Sequence, residues 1–318
     1  MFGYIIRRLI MLFPVIIGIS FMAFTLGELA PGDAAGSLYQ QLYGQPAPSQ
    51  AAIEEIREQF GLNDPFAVRF ARWTIAAVQG DLGNSFRTGR PVLDELSTRF
   101  TVTLRLSVGG LIVALLIAVP AGILAAMYHN SVVDLGTRFL SLLGATIPAF
   151  WLAYMLILLF SVRLRWLPVA GFDSWRHMVL PWLALGLGGA AAISRLLRSS
   201  MLEILGTDFV RTARAKGGSE YRVSIRHAFR NALIPLVTLM GALFGFLTAG
   251  AVVVETVFAI PGFGRLILDA IFFRDIPVIQ AFVVFTGILF VLINLMVDIT
   301  YTWIDPRIRL TARGGTGE

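Results

Sequence analysis

The amino-acid sequence predicts an all-α integral membrane protein with six transmembrane helices and with both termini in the cytoplasm. Hydrophobic residues make up 56% of the chain and charged residues only 14%, and the mean hydropathy is +0.75. A soluble core would leave much of this apolar surface uncovered, so lipid is the solvent that fits the composition. In addition, the apolar residues gather in six segments, each close to the length of about 20 residues that crosses a bilayer.

In chain order, the six predicted spans are roughly Leu9–Gly27, Leu106–Met127, Phe139–Val162, Met178–Ser194, Leu233–Val254 and Val278–Val297. We predict kinks at Pro120 and Pro148, because a proline inside a helix removes a backbone hydrogen bond. The fourth span is the shortest and contains Gly186, Gly188 and Gly189. Small residues let helix backbones approach each other, so we expect this span to pack closely on a neighbour.

Arginines that flank the spans set the orientation, since Arg and Lys are in excess on the cytoplasmic side. Arg7 and Arg8 precede the first span and place the N-terminus inside, and six crossings return the C-terminus to the same side. One external loop runs against the rule; it contains Arg163, Arg165 and Arg176. The first span is longer than the apolar run of about 7–15 residues in a signal peptide, so we expect it to be retained as an anchor.

The sequence divides into three regions. Residues 1–30 form the cytoplasmic N-terminus and the first transmembrane helix, and residues 31–100 form an external segment. Residues 101–318 form a core with five more transmembrane helices and a cytoplasmic loop at 203–232. The external segment is too short for an independent catalytic domain of ordinary size.

Two short amphipathic helices are predicted in the external segment. Ser49 can cap the first and Gly61 can stop it, and Asp64-Pro65 opens the second. The apolar stripe of the second helix consists of Phe66, Phe70, Trp73 and Ala77. The pattern favours helices that lie on the outer membrane face or pack on the spans, and a docking surface for an external partner is the alternative.

The cytoplasmic loop at 203–232 is the most informative part of the chain. Its cations are Arg211, Arg214, Lys216, Arg222, Arg226 and Arg230. We predict a helix at 203–216, a break at Gly217-Gly218-Ser219 and a second helix at 220–230. A rigid helical elbow in the cytoplasm indicates a cytosolic protein partner. Membrane topology accounts for the net charge of +6, so nucleic-acid binding is not expected.

Three ionisable residues lie near predicted span ends, namely Arg105, Glu255 and Asp298. Because a charge in hydrocarbon is costly, we expect them to snorkel or to be paired locally. Glu255 and Phe258 precede Pro261 and Gly262, and this interrupted apolar stretch is either a re-entrant gate or an ordinary hairpin. The sequence does not decide between these two.

The sequence lacks the residue patterns that carry catalysis or bind metals. It contains no cysteine and three well-separated histidines, and it has no phosphate-binding loop, zinc-protease motif or nucleophile elbow. We therefore predict no catalytic residues and no metal site. Energy for transport would come from an ion gradient or from another subunit. Because no acid lies at midspan, an externally powered pore is favoured over a stand-alone secondary carrier.

Seven motifs in order carry a resemblance to a known family. Arg7-Arg8 precedes the first span, and the seven motifs that follow it are Pro31-Gly32-Asp33, the run from Gly80 to Ser85, Ile147-Pro148-Ala149-Phe150-Trp151, Leu167-Pro168-Val169-Ala170-Gly171, Arg211 to Gly217 with His227 to Pro235, Glu255-Thr256-Val257-Phe258 with Pro261-Gly262, and Asp305-Pro306-Arg307-Ile308-Arg309. With these motifs the chain resembles the transmembrane permease subunits of bacterial binding-protein-dependent ABC importers of the dipeptide, oligopeptide and nickel type.

The resemblance implies the type I importer permease fold and a location in the bacterial inner membrane. This chain would form half of a pore with a homologous second permease. An external binding protein or lipoprotein would deliver substrate, and two ATPase subunits would bind ATP and Mg. The chain itself would bind no cofactor. Peptides are the favoured substrate, with nickel chelates, glutathione and oligosaccharides as alternatives.

In the family the cytoplasmic loop couples the pore to the ATPase. The resemblance assigns this role to Val210, Arg211, Thr212, Ala213, Arg214, Ala215, Lys216, Gly217, His227, Arg230 and Asn231. Val210 and Ala213 would face an apolar groove, while Arg211 and Arg214 would reach acidic rims. Glu255, Phe258, Pro261 and Gly262 are the candidates for an external gate.

Overall fold

The computed structural model describes residues 2–29, 34–45 and 49–304, and helices dominate it. The α-helices are α1 (Phe2–Leu29), α2 (Ala34–Tyr43), α3 (Gln50–Gln59), α4 (Phe66–Val78), α5 (Val92–Met127), α6 (Val132–Thr146), α7 (Ala149–Leu156), α8 (Trp175–Leu205), α9 (Asp208–Ala215), α10 (Glu220–Val223), α11 (Arg230–Gly250), α12 (Val252–Val257), α13 (Phe263–Phe272) and α14 (Ile276–Ile304). Ile157–Arg163 and Ser224–Phe229 are π-helical. Across the described ranges no strand forms, and an isolated β-bridge joins Asn84 to Pro91. The all-α prediction is confirmed.

Some predicted features lie outside the described residues. They are the motifs at 31–33 and 305–309, and the side chains of Arg7, Arg8 and Asp298.

The chain forms two compact units. Within the described residues, the first consists of Met1–Val102 with Pro261–Val291, and the second of Thr103–Ile260 with Leu292–Glu318.

Four described helices are long and apolar enough to cross a membrane, namely Val92–Met127, Trp175–Leu205, Glu220–Thr248 and Ile276–Val297. The bent pair formed by α6 and Ala149–Arg163 gives a fifth if it crosses as one span. The first predicted span falls in α1, where Pro14–Leu29 is a shorter apolar helix. The count of six and the cytoplasmic termini remain predictions.

The third predicted span, Phe139–Val162, is not one continuous helix. α6 ends at Thr146, α7 begins at Ala149, and the two parts differ in direction by 102°. Pro148 explains the break, because its ring pushes the preceding residue out of the helical region, and Ile147 has ψ 122°. The predicted kink at Pro148 is therefore a full break. By contrast, Pro120 lies inside α5 without ending that helix.

Within the second unit, α5 and α8 approach closely through glycine. A Cβ atom on Gly186 would lie 2.8 Å from the carbonyl oxygen of Gly110, and one on Gly189 would lie 3.3 Å from the Cβ of Ala114. The buried side chains around this contact are Ala114, Ala118, Ala190, Ile193 and Leu236. The predicted close packing is confirmed at Gly186 and Gly189. Gly188 takes no part in this contact, since an added Cβ there would meet nothing within 4 Å.

Within the first unit, the two short amphipathic helices form where the sequence predicts them. The Ser49 hydroxyl accepts a hydrogen bond from the Ala52 amide at 3.3 Å and caps α3. Gly61 follows α3 with φ +61°, and Pro65 precedes α4.

The aromatic stripe of α4 packs on α1. The ring of Phe24 lies 5.6 Å from that of Phe70 and 5.8 Å from that of Trp73, and Phe21 lies 5.7 Å from Phe66. Aromatic pairs at such centroid distances stabilise a contact beyond their buried area. This helix therefore packs on α1, the helix of the first predicted span.

The loop after α4 is fixed by Asp275, which lies just before α14 and is buried. The Ser85 hydroxyl donates to Asp275 Oδ2 at 2.5 Å, and the Phe86 amide donates to Oδ1 at 3.0 Å. Within this loop Gly83 takes φ +79°. These bonds give Ser85 a structural role in holding this loop to the start of α14 within the first unit.

Candidate functional site

A helical elbow follows α8, and we use this name for residues 203–232. α8 ends at Leu205, two residues turn the chain, and α9 begins at Asp208. After α9, Gly217 takes φ +81°, a conformation that glycine adopts at little cost. α10 then begins, and the backbone stays helical into α11. The elbow therefore joins two candidate spans through two interruptions of the helix, one at Gly206-Thr207 and one at Gly217-Gly218-Ser219.

Two details of the predicted elbow are wrong, although the break at Gly217-Gly218-Ser219 is confirmed. The sequence predicts one helix at 203–216, but Gly206 and Thr207 separate α8 from α9. It also predicts a separate helix at 220–230, whereas that helix is the beginning of the next candidate span, Glu220–Thr248.

Val210 fixes α9 onto the rest of the second unit. Its side chain is 0% exposed, and eight residues are too few for a helix to be stable without such packing. The prediction that Val210 faces a partner is therefore wrong. On the same helix, Phe209 and Thr212 are exposed and Ala213 is half-buried, so these residues remain accessible.

Arg214 connects the two sides of the elbow. Its Nε donates to Glu220 Oε1 at 2.8 Å, its Nη2 donates to Oε2 at 3.2 Å, and its Nη1 donates to the Leu205 carbonyl at 3.4 Å. Such a bidentate pair fixes geometry as well as adding energy. Within the chain Arg214 thus contacts an acid of the elbow itself, and its predicted contact with an acidic rim of a partner stays a prediction. Arg211 pairs with Asp208 at 3.3 Å, and both side chains are largely exposed.

A cleft of about 440 Å³ opens beside α9. Its lining consists of Phe209, Thr212, Ala213, Lys216, Gly217, Gly218, Arg222 and His227. Phe209 gives it an apolar wall, and Lys216 and Arg222 give it positive charge. A complementary surface would present an apolar side chain together with carboxylates.

The remaining predicted coupling residues lie at the edge of the cleft or beyond it. Ala215 is exposed at the end of α9, and Arg230 and Asn231 are exposed at the start of α11. The side-chain amide of Asn231 donates from Nδ2 to the His227 carbonyl oxygen at 2.7 Å.

The elbow rests on a packed apolar cluster that ties it to α5 and α8. The buried members of this cluster are Ala126, Leu197, Met201, Ala228 and Ala232. Because packed side chains transmit displacement with little compression, a push on the elbow would move α8 and α11 with it.

Two of the candidate gate residues lie in α12 and the turn that follows it. Glu255 is fully buried, and its carboxylate accepts a hydrogen bond from the Thr103 hydroxyl. Phe258 is also buried, and its carbonyl accepts from the Gly171 amide at 3.0 Å. Local pairing of Glu255 is therefore confirmed, and snorkelling is not observed.

The other two gate candidates begin the returning segment of the first unit. Pro261 and Gly262 immediately precede α13, and Gly262 lies at its N-cap position with an extended backbone.

Sequence reasoning missed the buried ion pair between Asp134 and Arg198. The Arg198 Nε and Nη2 atoms donate to the two carboxylate oxygens of Asp134 at 2.5 and 2.8 Å. The Asn130 amide donates to the same carboxylate at 3.0 Å, and Arg138 lies 3.5 Å from it. Ser131 caps α6 just before Asp134, so the acid resembles an ordinary residue of a helical first turn in the sequence.

Comparison with known proteins decides the family. Residues 118–310 match the family described as binding-protein-dependent transport system inner membrane component. Residues 1–107 match the N-terminal region of the same kind of membrane component. The chain belongs to the binding-protein-dependent transport system inner membrane component family. It is a bacterial ABC importer permease of the peptide and nickel type, and a multi-pass inner membrane protein.

Curated relatives cover this permease almost completely. The glutathione transport system permease protein GsiC of Escherichia coli O6:H1 (strain CFT073) is 44% identical over 309 residues, which is 97% of this chain and 99% of that protein. The proteins of the same name from Escherichia coli strain K12 and from Shigella dysenteriae serotype 1 are each 43% identical over the same coverage.

Solved structures support the fold of the permease. An inward-facing structure of the MetNI methionine ABC transporter aligns with a TM-score of 0.54 at 19% identity, covering 66% of this chain and 96% of that one. An amino acid ABC transporter structure aligns with a TM-score of 0.51 at 12% identity, covering 65% and 93%. At such identities the likeness concerns the fold alone.

Membership in the family also indicates which other subunits belong to the importer. The family consists of transport permease subunits, and an ABC importer of this kind combines a second permease, ATPase subunits and a substrate-binding protein.

Proposed function

We propose that this permease forms one half of an import pore for small peptides, with glutathione as the first substrate to test, and that its elbow docks on an ATPase subunit. The observation that carries the docking proposal is the cleft beside α9. It combines an exposed aromatic side chain, Phe209, on the helix that Val210 anchors, with the cations Lys216 at the end of that helix and Arg222 on α10.

The shape of the elbow supports a role in transmitting force. ATP, bound with Mg on the partner subunits, would draw two ATPases together, and each would carry the elbow docked on it. The helix that starts at Glu220 continues into a candidate span, so a shift of α9 would tilt that span. Repeated in both permeases, this movement would open the pore outward, and hydrolysis would reset it.

The names of the relatives support a peptide substrate. Glutathione is a short peptide, and the relatives named for its transport match this chain almost from end to end. Nickel chelates and oligosaccharides stay as alternatives within the same type of importer. The external binding protein or lipoprotein would select the substrate before it reaches the pore.

Glu255, Phe258, Pro261 and Gly262 remain the candidate external gate. The buried carboxylate of Glu255 accepts a hydrogen bond from Thr103. Only a movement of α12 would expose this carboxylate or give it a new partner. Such a residue is suited to hold one conformation of a gate in place.

The docking proposal is tested by replacing Phe209 with alanine in the complete importer. We expect the Phe209→Ala complex to lose most of its ATPase subunit on purification and most of its glutathione uptake, because the apolar wall of the cleft is removed. The matched control is Tyr128→Ala, since Tyr128 is also an exposed aromatic residue, at 54%, but lies outside the elbow.

Both variants are first checked for normal membrane insertion. Full ATPase retention by Phe209→Ala would overturn the docking surface. A different result would overturn only the proposed substrate. In that case the wild-type complex would retain its ATPase subunit and transport another solute but take up no glutathione.

A further inference from the structure

An apolar groove lies between α5 and α8, at the end of α8 that is far from the elbow. It has a volume of about 880 Å³, within the range of about 300–1,000 Å³ found for ligand pockets. Trp182 forms part of its wall, and its indole Nε1 donates to the Arg105 carbonyl at 3.2 Å. The ring lies against Gly109, where an added Cβ would be only 2.0 Å from Nε1.

The length of the groove matches one leaflet of a bilayer. Val108, Ile112 and Leu116 follow one another about one turn apart on α5, line the groove and are exposed. From Leu104 to Leu116 the helix rises about 18 Å, and one leaflet contributes about 15 Å of hydrocarbon. An extended acyl chain would cover this stripe from the membrane surface to the midplane.

The mouth of the groove carries one charge of each sign. Arg105 and Asp173 both line it and are exposed. Neither forms an ion pair with another side chain in the part of the chain that the structure describes. Beside them Trp175 is 69% exposed, and tryptophan is enriched at the level of lipid headgroups.

We infer that this groove binds one phospholipid with an ethanolamine headgroup. The acyl chain lies along the stripe of Val108, Ile112 and Leu116. The Arg105 guanidinium binds the phosphate, since arginine matches phosphate geometry. The Asp173 carboxylate binds the ammonium group. The site lies in the leaflet opposite the elbow, which is the external leaflet in the predicted orientation.

Two other occupants fit the groove less well. A transported peptide carries amide groups that need hydrogen-bond partners when buried, and the stripe below the mouth offers only hydrocarbon. A helix of the partner permease would cover the stripe, but it would also have to supply an acid for Arg105 and a base for Asp173. A zwitterionic headgroup supplies both charges at once.

The test measures bound phospholipid by native mass spectrometry of the complete, delipidated importer after addition of phosphatidylethanolamine or phosphatidylglycerol. The wild type should retain one phosphatidylethanolamine for each copy of this chain and bind it several-fold more strongly than phosphatidylglycerol. Ile112→Trp, which fills the groove, should weaken retention about tenfold. Ile117→Trp is the matched control, because Ile117 is exposed on α5 but does not line the groove.

Headgroup variants separate the two charges. Arg105→Gln should weaken the binding of both lipids about tenfold, which is the loss expected when a charge-assisted hydrogen bond is removed. Asp173→Asn should remove the preference for phosphatidylethanolamine and leave the binding of phosphatidylglycerol unchanged. Arg163→Gln, an exposed arginine that does not line the groove, should change neither.

The proposal is wrong if Ile112→Trp and Ile117→Trp retain lipid equally, or if Asp173→Asn keeps the headgroup preference. A chain without cysteine also allows a decisive check with the single variant Ile112→Cys. Efficient cross-linking of Cys at this position to the partner permease would make the groove a protein interface. Displacement of the lipid by a transported peptide would make it a substrate site.

Discussion

At the scale of single residues, the ion pair of Asp134 and Arg198 is the best example of a charge that the fold must neutralise. Asp134 is 0% exposed and the Arg198 side chain 17% exposed. Taking charges out of water costs several kcal/mol each, and the attraction between them offsets this only when the geometry is good. Here two short hydrogen bonds join Arg198 to Asp134. The first turn of α6 is therefore held to α8.

We expect Asp134→Ala to lower the stability of the permease by about 3 kcal/mol, because it leaves Arg198 largely buried without its partner. The measurement is the thermal unfolding of the purified complex. The double variant Asp134→Leu with Arg198→Met should regain much of the loss, since an apolar pair of similar size needs no charge compensation.

The control for this pair is Asp208→Ala. Asp208 also pairs with an arginine, Arg211, but both side chains are largely exposed, and such pairs contribute little. Equal unfolding temperatures for Asp134→Ala and Asp208→Ala would show that the buried pair does not stabilise the fold.

At the scale of elements, the elbow shows how a charged loop becomes rigid. Val210 anchors α9, Gly217 reverses the backbone, and Arg214 joins Glu220 across the turn. Each is a modest contribution, but together they leave α9 in one orientation with its cleft exposed. A partner would therefore meet a preformed surface, which reduces the entropy lost on binding.

Charge reversal distinguishes an internal role of Arg214 from a contact with the ATPase. Arg214→Glu places two acids across the turn, so we expect ATP-driven uptake to fall by up to about fivefold, because a partly exposed pair contributes at most about 1 kcal/mol. The double variant Arg214→Glu with Glu220→Arg restores the pair and should restore uptake. A double variant that stays as impaired as the single one would assign Arg214 to the partner instead.

At the scale of the whole molecule, the chain is a permease subunit of an ABC importer. Its composition places it in lipid, and its sequence carries no nucleotide-binding motif. In the described residues no group of three or more acidic or histidine side chains could hold a metal ion. We therefore propose that the driving force for transport comes from the ATPase subunits.

We expect the purified chain alone, reconstituted in liposomes, to transport no measurable glutathione with or without an ion gradient. The complete importer with its binding protein should transport it when ATP is supplied to the side of the ATPases. The measurement is the accumulation of labelled glutathione. Gradient-driven uptake by the isolated chain would favour a secondary carrier.

Much of the fold follows from local signals that act within a few residues. The caps at Ser49 and Gly61, the turn at Gly217 and the four long apolar helices are encoded by side chains close to where they act, so sequence reasoning found them. The break at Pro148 was underestimated, because whether a proline kinks or breaks a helix depends on what packs around it.

The candidate site was predictable in position but not in detail. The cations of 203–232 identified the elbow, yet the sequence could not show that Val210 points inward or that Glu220 engages Arg214. Both facts depend on how α9 lies against α8 and α10. The partner of Asp134 could not be predicted either, because it lies 64 positions away in the sequence and no local pattern indicates it.

The sequence by itself determined the solvent, the helical class, the family motifs and the place of the elbow, because composition and short-range spacing encode these directly. Only the tertiary structure decided which charges are paired, which face of α9 is free and where a groove opens between α5 and α8. These features arise between segments that are distant in sequence, and their energies depend on the distances and burial that packing creates.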